Sequence, residues 1–150
     1  MSTRISAQAK AVLNVLAEKR CHLTAEEILA SLDHIGTATV YRALDHLTEL
    51  GMPMKIRGFK YNVSAIALAV ADPDITDAVI SRLYPEVAKI HNTTPSKVER
   101  SMRHAIEVAW SRCDLDVTYR HFGNSVNPNK GKPTNSEFVA RMAQVIRDCV

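Results

Sequence analysis

Apolar residues recur at intervals of three and four along most of the chain, the period that puts them on one side of a helix. Val12, Val15 and Leu16 make such a stripe in a helix from Ala7 to Lys19. A second runs from Thr24 to Leu32 with Ile28, Leu29 and Leu32 inward, and Thr24 with Glu27 forms a capping box at its start. After a turn at Asp33 to Gly36, Val40, Leu44, Leu47 and Leu50 predict a third helix from Thr39 to Leu50, whose exposed residues include Thr39, Tyr41, Arg42 and His46. Gly51-Met52-Pro53 ends this pattern, because glycine closes a helix readily and proline cannot continue one. The join divides the chain into segments 1–50 and 51–150.

Two readings fit the residues just after this join. Met54 to Tyr61 alternates around Gly58, as a small hairpin or wing would. Ile56, Phe59, Val63, Ile66, Ala67 and Val70 instead have helical spacing, which favours a helix that Asp72-Pro73 stops. From Ile75 to His91 the apolar face is Val79, Leu83, Val87 and Ile90. Pro85 lies inside this run and should kink or divide it, leaving a short helix from about Tyr84 to His91. Asn92 and Thr93 can end that helix, since asparagine tolerates a left-handed backbone. Thr94 can cap the next, with Pro95 at the first position, where the missing N–H costs nothing.

The helix that begins there has two unlike faces. Val98, Met102, Ala105 and Ala109 form the apolar stripe, with Ile106 and Trp110 beside it. Lys97, Glu99, Arg100, Arg103 and His104 crowd the other side. Arginine forks pair with guanine, carboxylates accept from cytosine and lysine meets phosphate, so this face suits the DNA major groove. Glu99, Arg103 and Glu107 also form the i,i+4 ladder of an ordinary solvated helix. A short helix, a tight turn and a helix with a basic outer face together make the helix-turn-helix arrangement, which tips the balance towards DNA.

Composition narrows the class without naming a partner. In 150 residues, 46% are hydrophobic and 23% charged, as in a soluble globular protein, and the scarcity of glycine and aromatics suits a mainly α fold. A net charge of +3 permits nucleic-acid binding but does not demand it. Charge is local instead: Val117 to Ser136 holds Arg120, Lys130 and Lys132 and no acid. Cys21, Cys113 and Cys149 are odd in number and far apart, which fits reduced thiols and a cytoplasmic location. No run is long and apolar enough for a membrane span, and no signal core stands at the N-terminus. The last helix opens with the capping box Thr134 and Glu137 and carries Phe138, Met142, Val145 and Cys149 inward. The basic loop Asn127 to Pro133 feeds its N-terminus, an arrangement that can hold a phosphate.

Longer stretches then resemble a known family. They are Leu50-Gly51-Met52-Pro53 through Gly58-Phe59-Lys60-Tyr61, Leu83-Tyr84-Pro85, Asn92-Thr93-Thr94, Val98-Glu99-Arg100, Arg103 through Arg112, and Lys130 through Phe138. In this order they resemble the C-terminal effector domain of the stage-zero sporulation protein A family of response regulators. The resemblance implies a six-helix domain that binds double-stranded DNA at TGTCGAA-like boxes, with a homodimer on tandem sites. It implies base or adjacent phosphate contacts from the helix at Ser96 to Arg112, through Ser96, Lys97, Glu99, Arg100, Arg103 and His104. It implies backbone contacts from Lys130, Lys132 and Ser136. A sigma-factor contact of RNA polymerase would fall near Arg112 to Val126, where Cys113-Asp114-Leu115 departs from the family's glycine.

Residues 1–50 resemble a different family. His22 to Ile28, Ala38 to Leu44 and Glu49-Leu50-Gly51 are similar to the winged-helix head of ferric-uptake-type regulators. That resemblance implies a small three-helix, winged-helix-like segment with Thr39, Tyr41 and Arg42 as secondary DNA-binding candidates. The metal ligand it implies at His22 lacks companions, since no CxxC pair accompanies Cys21 and no other histidine has ligand spacing. No metal site and no cofactor are expected. Nor is aspartyl phosphorylation within this sequence, which offers no receiver-type acidic pocket. No nucleophile-and-base motif, phosphate loop or carboxylate pair points to catalysis. Three functions remain in order: a sequence-specific DNA-binding regulator, a protein-interaction module acting on a full-length regulator, and a metal-responsive repressor.

Overall fold

The computed structural model describes residues 36–112, 120 and 131–148. The helices read at Ala7 to Lys19 and Thr24 to Leu32 lie outside the described residues, as do all three cysteines, His22, Lys130 and most of the sigma-factor region. Among the described residues there are five α-helices and no strand. They are α1 (Thr37–Glu49), α2 (Arg57–Ala71), α3 (Tyr84–Ile90), α4 (Pro95–Arg112) and α5 (Asn135–Asp148), with a 3₁₀ turn (Pro73–Asp77) and a π turn (Val79–Leu83) between α2 and α3. None of the described helices is long and apolar enough to cross a membrane.

Helix α2 is the axis around which the rest assembles. Its residues from Tyr61 to Ala69, together with Gly58 and Phe59, are buried, and it packs against α1, α3, α4 and α5. A helix covered on every side must be apolar or small all round, and Ala65, Ala67, Ala69 and Ser64 let its neighbours come close. Met54 to Tyr61 is therefore a turn leading into a helix. The hairpin reading fails because Phe59, Tyr61 and Val63 are buried together with Asn62 and Ser64, which a helix wrapped by neighbours allows and a one-sided ribbon does not.

Gly51 ends α1 as its sequence position foretold. Its φ is 81°, its N–H bonds the Thr48 carbonyl at 3.0 Å, and the Met52 N–H bonds the Leu47 carbonyl at 3.0 Å. This is the two-bond closure that a left-handed residue permits after a helix, completed by the buried Met52 side chain. Gly51 joins two helices that share one core: Val40, Leu44, Leu47 and Leu50 lie in the same cluster as Phe59, Ile66, Met102 and Phe138.

The structure corrects one position expected to be exposed. Tyr41 is only 6% exposed and belongs to the core cluster. Helix α1 packs against both α2 and α5, and Tyr41, though off the stripe of Val40, Leu44 and Leu47, is covered as well. Its ring is not offered to solvent. Thr39 and Arg42 are half-buried on the margins of the same helix.

The run from Ile75 to His91 keeps its predicted face but not a single helix. Ile75, Leu83 and Val87 are buried, whereas Ile80 is 80% exposed. Pro85 sits in the first turn of α3 and cannot donate to the preceding turn. The chain ahead of it widens, so that the Leu83 N–H reaches back five residues to the Ala78 carbonyl at 3.1 Å. Asp72 steadies both turns by accepting from the Asp74 N–H at 3.2 Å and pairing with Arg82 at 2.6 Å.

Candidate nucleic-acid interface

The turn between α3 and α4 is closed by backbone bonds. Asn92 has φ 53°, the Thr93 N–H bonds the Ala88 carbonyl at 2.9 Å, and the Asn92 N–H approaches the Lys89 carbonyl at 3.5 Å. The Thr94 hydroxyl then accepts from the Lys97 N–H at 3.3 Å, with Pro95 first in α4. Sequence therefore fixes both where α3 stops and where α4 starts, and the two helices meet across four residues, His91 to Thr94.

His91 pins this turn to α2. Its Nε2 shares a hydrogen bond of 2.7 Å with the Ser64 hydroxyl, and its ring lies 5.0 Å from that of Tyr61. Burial lowers its pKa to about 4, and the positive charge of Lys60 pushes the same way. An unfolded histidine near 6.5 binds a proton that the folded one refuses. The resulting stability is fully present above pH 6.5 and is lost as pH falls from there towards 4. Because the ring is partly exposed, this loss should be about 1–2 kcal/mol rather than the full linkage value. Denaturation midpoints at pH 7 and pH 4.5 should differ less in His91→Gln than in the parent, and an equal difference would remove His91 as the cause.

Helix α4 is seated by Val98, Met102, Ala105, Ile106 and Ala109, all buried, with Trp110 edge-on to Phe138 at 6.4 Å. Opposite them Ser96, Lys97, Arg100, Arg103, His104 and Glu107 are exposed, and Glu99 lies at the margin. Of the predicted ladder, Glu99 pairs with Arg103 at 3.6 Å, while Glu107 turns to Lys132 at 3.3 Å. Exposed pairs of this kind contribute up to about 1 kcal/mol, whereas a good bidentate base contact is worth about 1–3 kcal/mol. Arg103 and Lys132 are therefore held by their acids only weakly.

The start of α5 is tied to α4 by Asn135, which sequence reasoning passed over. Its buried amide donates to the Glu99 carbonyl at 3.1 Å and to the Tyr84 hydroxyl at 3.2 Å. Burial raises the Tyr84 pKa above the usual tyrosine value, so the phenol stays protonated. Thr134 and Glu137 cap α5 reciprocally at 3.1 and 3.2 Å, as their spacing predicted. This places Lys132 beside the outer face of α4. Ser136 is half-buried and donates its hydroxyl proton to the Thr76 carbonyl at 3.0 Å, so its side chain is already part of the fold.

The geometry is that of a helix-turn-helix unit whose second helix has an exposed, mainly basic outer face. Residues 43–146 match the family model described as Sporulation initiation factor Spo0A C terminal. The chain belongs to that family. The match begins within α1 and ends within α5, so it reaches every described helix. A Spo0A C-terminal domain is the DNA-binding domain of a sporulation transcription regulator.

Proposed function

We propose that the chain is a sequence-specific transcription regulator that reads a TGTCGAA-like box through α4 and acts by binding rather than by catalysis. The observation that carries this reading is the division of α4 into a buried apolar face and an exposed face with Arg100, Arg103, Lys97 and His104. Arg100 and Arg103 address bases, Glu99 accepts from cytosine or orients Arg103, and Lys97, Lys130 and Lys132 hold phosphates. A homodimer on tandem boxes in the cytoplasm, with a sigma factor of RNA polymerase as partner, completes the proposal. Six helices and an accessory head over residues 1–50 belong to the same reading.

Selection from a random duplex pool at near-physiological salt should enrich the box. Arg100→Ala should then weaken the selected duplex by about 1–3 kcal/mol and spare random DNA. Wild-type affinity of both Arg100→Ala and Arg103→Ala would dismiss α4 as the reader. Enrichment of an AT-rich palindrome instead would turn attention to the head.

A further inference from the structure

Helix α4 has two flanks, lined by different parts of the chain. Asn135 and Lys132 approach along the side of Glu99, Glu107 and Trp110. The segment between Gly51 and Gly58 lies along the other. Its two ends are fixed on α4: a β-carbon on Gly51 would stand 3.8 Å from the Arg112 β-carbon, and one on Gly58 would collide with the Ser101 carbonyl oxygen. On a helix of 3.6 residues per turn, Ser101 lies on the same edge as Lys97 and His104. The connecting segment therefore runs beside the reading face, and within it Lys55 and Arg57 are exposed. From Leu50 to Ala71 the chain has three cations, Lys55, Arg57 and Lys60, and no acid. Lys60 is half-buried next to His91, which leaves Lys55 and Arg57 as the outward charges.

A helix lying in the major groove has a phosphate wall on each side, one from each strand. Lys132 faces one wall. We infer that Lys55 and Arg57 hold phosphates of the opposite strand, making the Gly51–Gly58 segment a second backbone clamp for the same helix. This rests on α4 as the reader. Phosphate contacts position without reading sequence, so the clamp raises affinity for every duplex alike.

The test uses the full chain with Lys55→Ala and Arg57→Ala combined, a duplex bearing the TGTCGAA-like box and a scrambled duplex. Binding to both should weaken by a similar factor, about tenfold or more at about 0.15 M salt, and the slope of log affinity against log salt should fall by about 2. Phosphate-ethylation interference should be lost on one strand, and Lys132→Ala should lose it on the other. Unchanged affinity and slope would overturn the clamp, as would a loss confined to the box duplex, which would make these residues base readers. Arg100→Ala, measured alongside, reports separately on α4: full affinity in that variant counts against the reading helix, whatever the double variant does.

Discussion

Gly58→Ala should destabilise the domain by about 3 kcal/mol or more, a large share of the roughly 5–15 kcal/mol by which a domain of this kind is held together. A methyl group at position 58 would collide with the Ser101 carbonyl oxygen and fall 2.7 Å from the Ser101 carbonyl carbon and 2.6 Å from the Ala105 β-carbon. Two of these three are backbone atoms of α4 and cannot swing aside as a flexible side chain would. The helices must separate, and the packing of Val98, Met102 and Ala105 in the core loosens with them. Alanine is the better helix former by about 1 kcal/mol, so the propensity gain opposes the clash without matching it. Urea denaturation would show the loss, and DNA binding should fall with it because the same crossing aims the reading face. Gly36→Ala is the control. Nothing lies within 4 Å of a β-carbon there and its φ is −67°, so stability should change by no more than about 0.5 kcal/mol. A Gly58→Ala protein as stable as its parent would mean that α2 and α4 do not cross this closely.

That glycine shows where the sequence was legible and where it was not. Local signals were read correctly: Gly51 as a helix stop, Thr94-Pro95 as a helix start, Asn92 as a left-handed closure, and Thr134 with Glu137 as a capping box. Each depends on residues a few positions apart, so one stretch of chain carries the whole signal. Gly58 was ambiguous because its reason lies 43 positions away, at Ser101. A glycine inside a helical pattern does announce a close approach, but it cannot say of what. Tyr41 misled for a related reason. Periodicity finds one buried strip, and nothing in α1 itself tells that more of its surface is covered by two neighbouring helices.

The outer face of α4 was visible in the sequence because exposed charge at helical spacing needs no partner to be recognised. Of its pairings, Glu99 with Arg103 was visible too, but the partner of Glu107 was not. Glu107 looked like the end of a ladder from Arg103, yet it meets Lys132 across 25 residues of chain. The flanks matter as much as the face, because a reading helix is useful only when both phosphate walls are engaged at the right depth. Lys132, Lys55 and Arg57 each stand at or just before a helix start, so in the proposed complex the packing of α2 and α5 would set that depth.

Asn135→Ala tests the α5 side of this arrangement and should cost about 2–3 kcal/mol. The side chain is buried, and its single amide nitrogen serves both the Glu99 carbonyl and the Tyr84 hydroxyl. Removing it leaves the phenol without that donor in a place where burial already raises the pKa, and it opens a small void between three helices. The bond to Tyr84 can be weighed separately. If it forms, Asn135→Ala and Tyr84→Phe should be non-additive by about 0.5–1.5 kcal/mol, whereas strictly additive losses would deny it. The functional consequence distinguishes a clamp from a mere filler. Asn135 stands three residues after Lys132 and holds the start of α5 against the main chain of α4, so its loss lets the lysine drift from the groove wall. Binding at a temperature where the variant is still folded should therefore weaken for the box and the scrambled duplex alike, with a shallower salt slope, because what has moved is a phosphate contact and not a base reader.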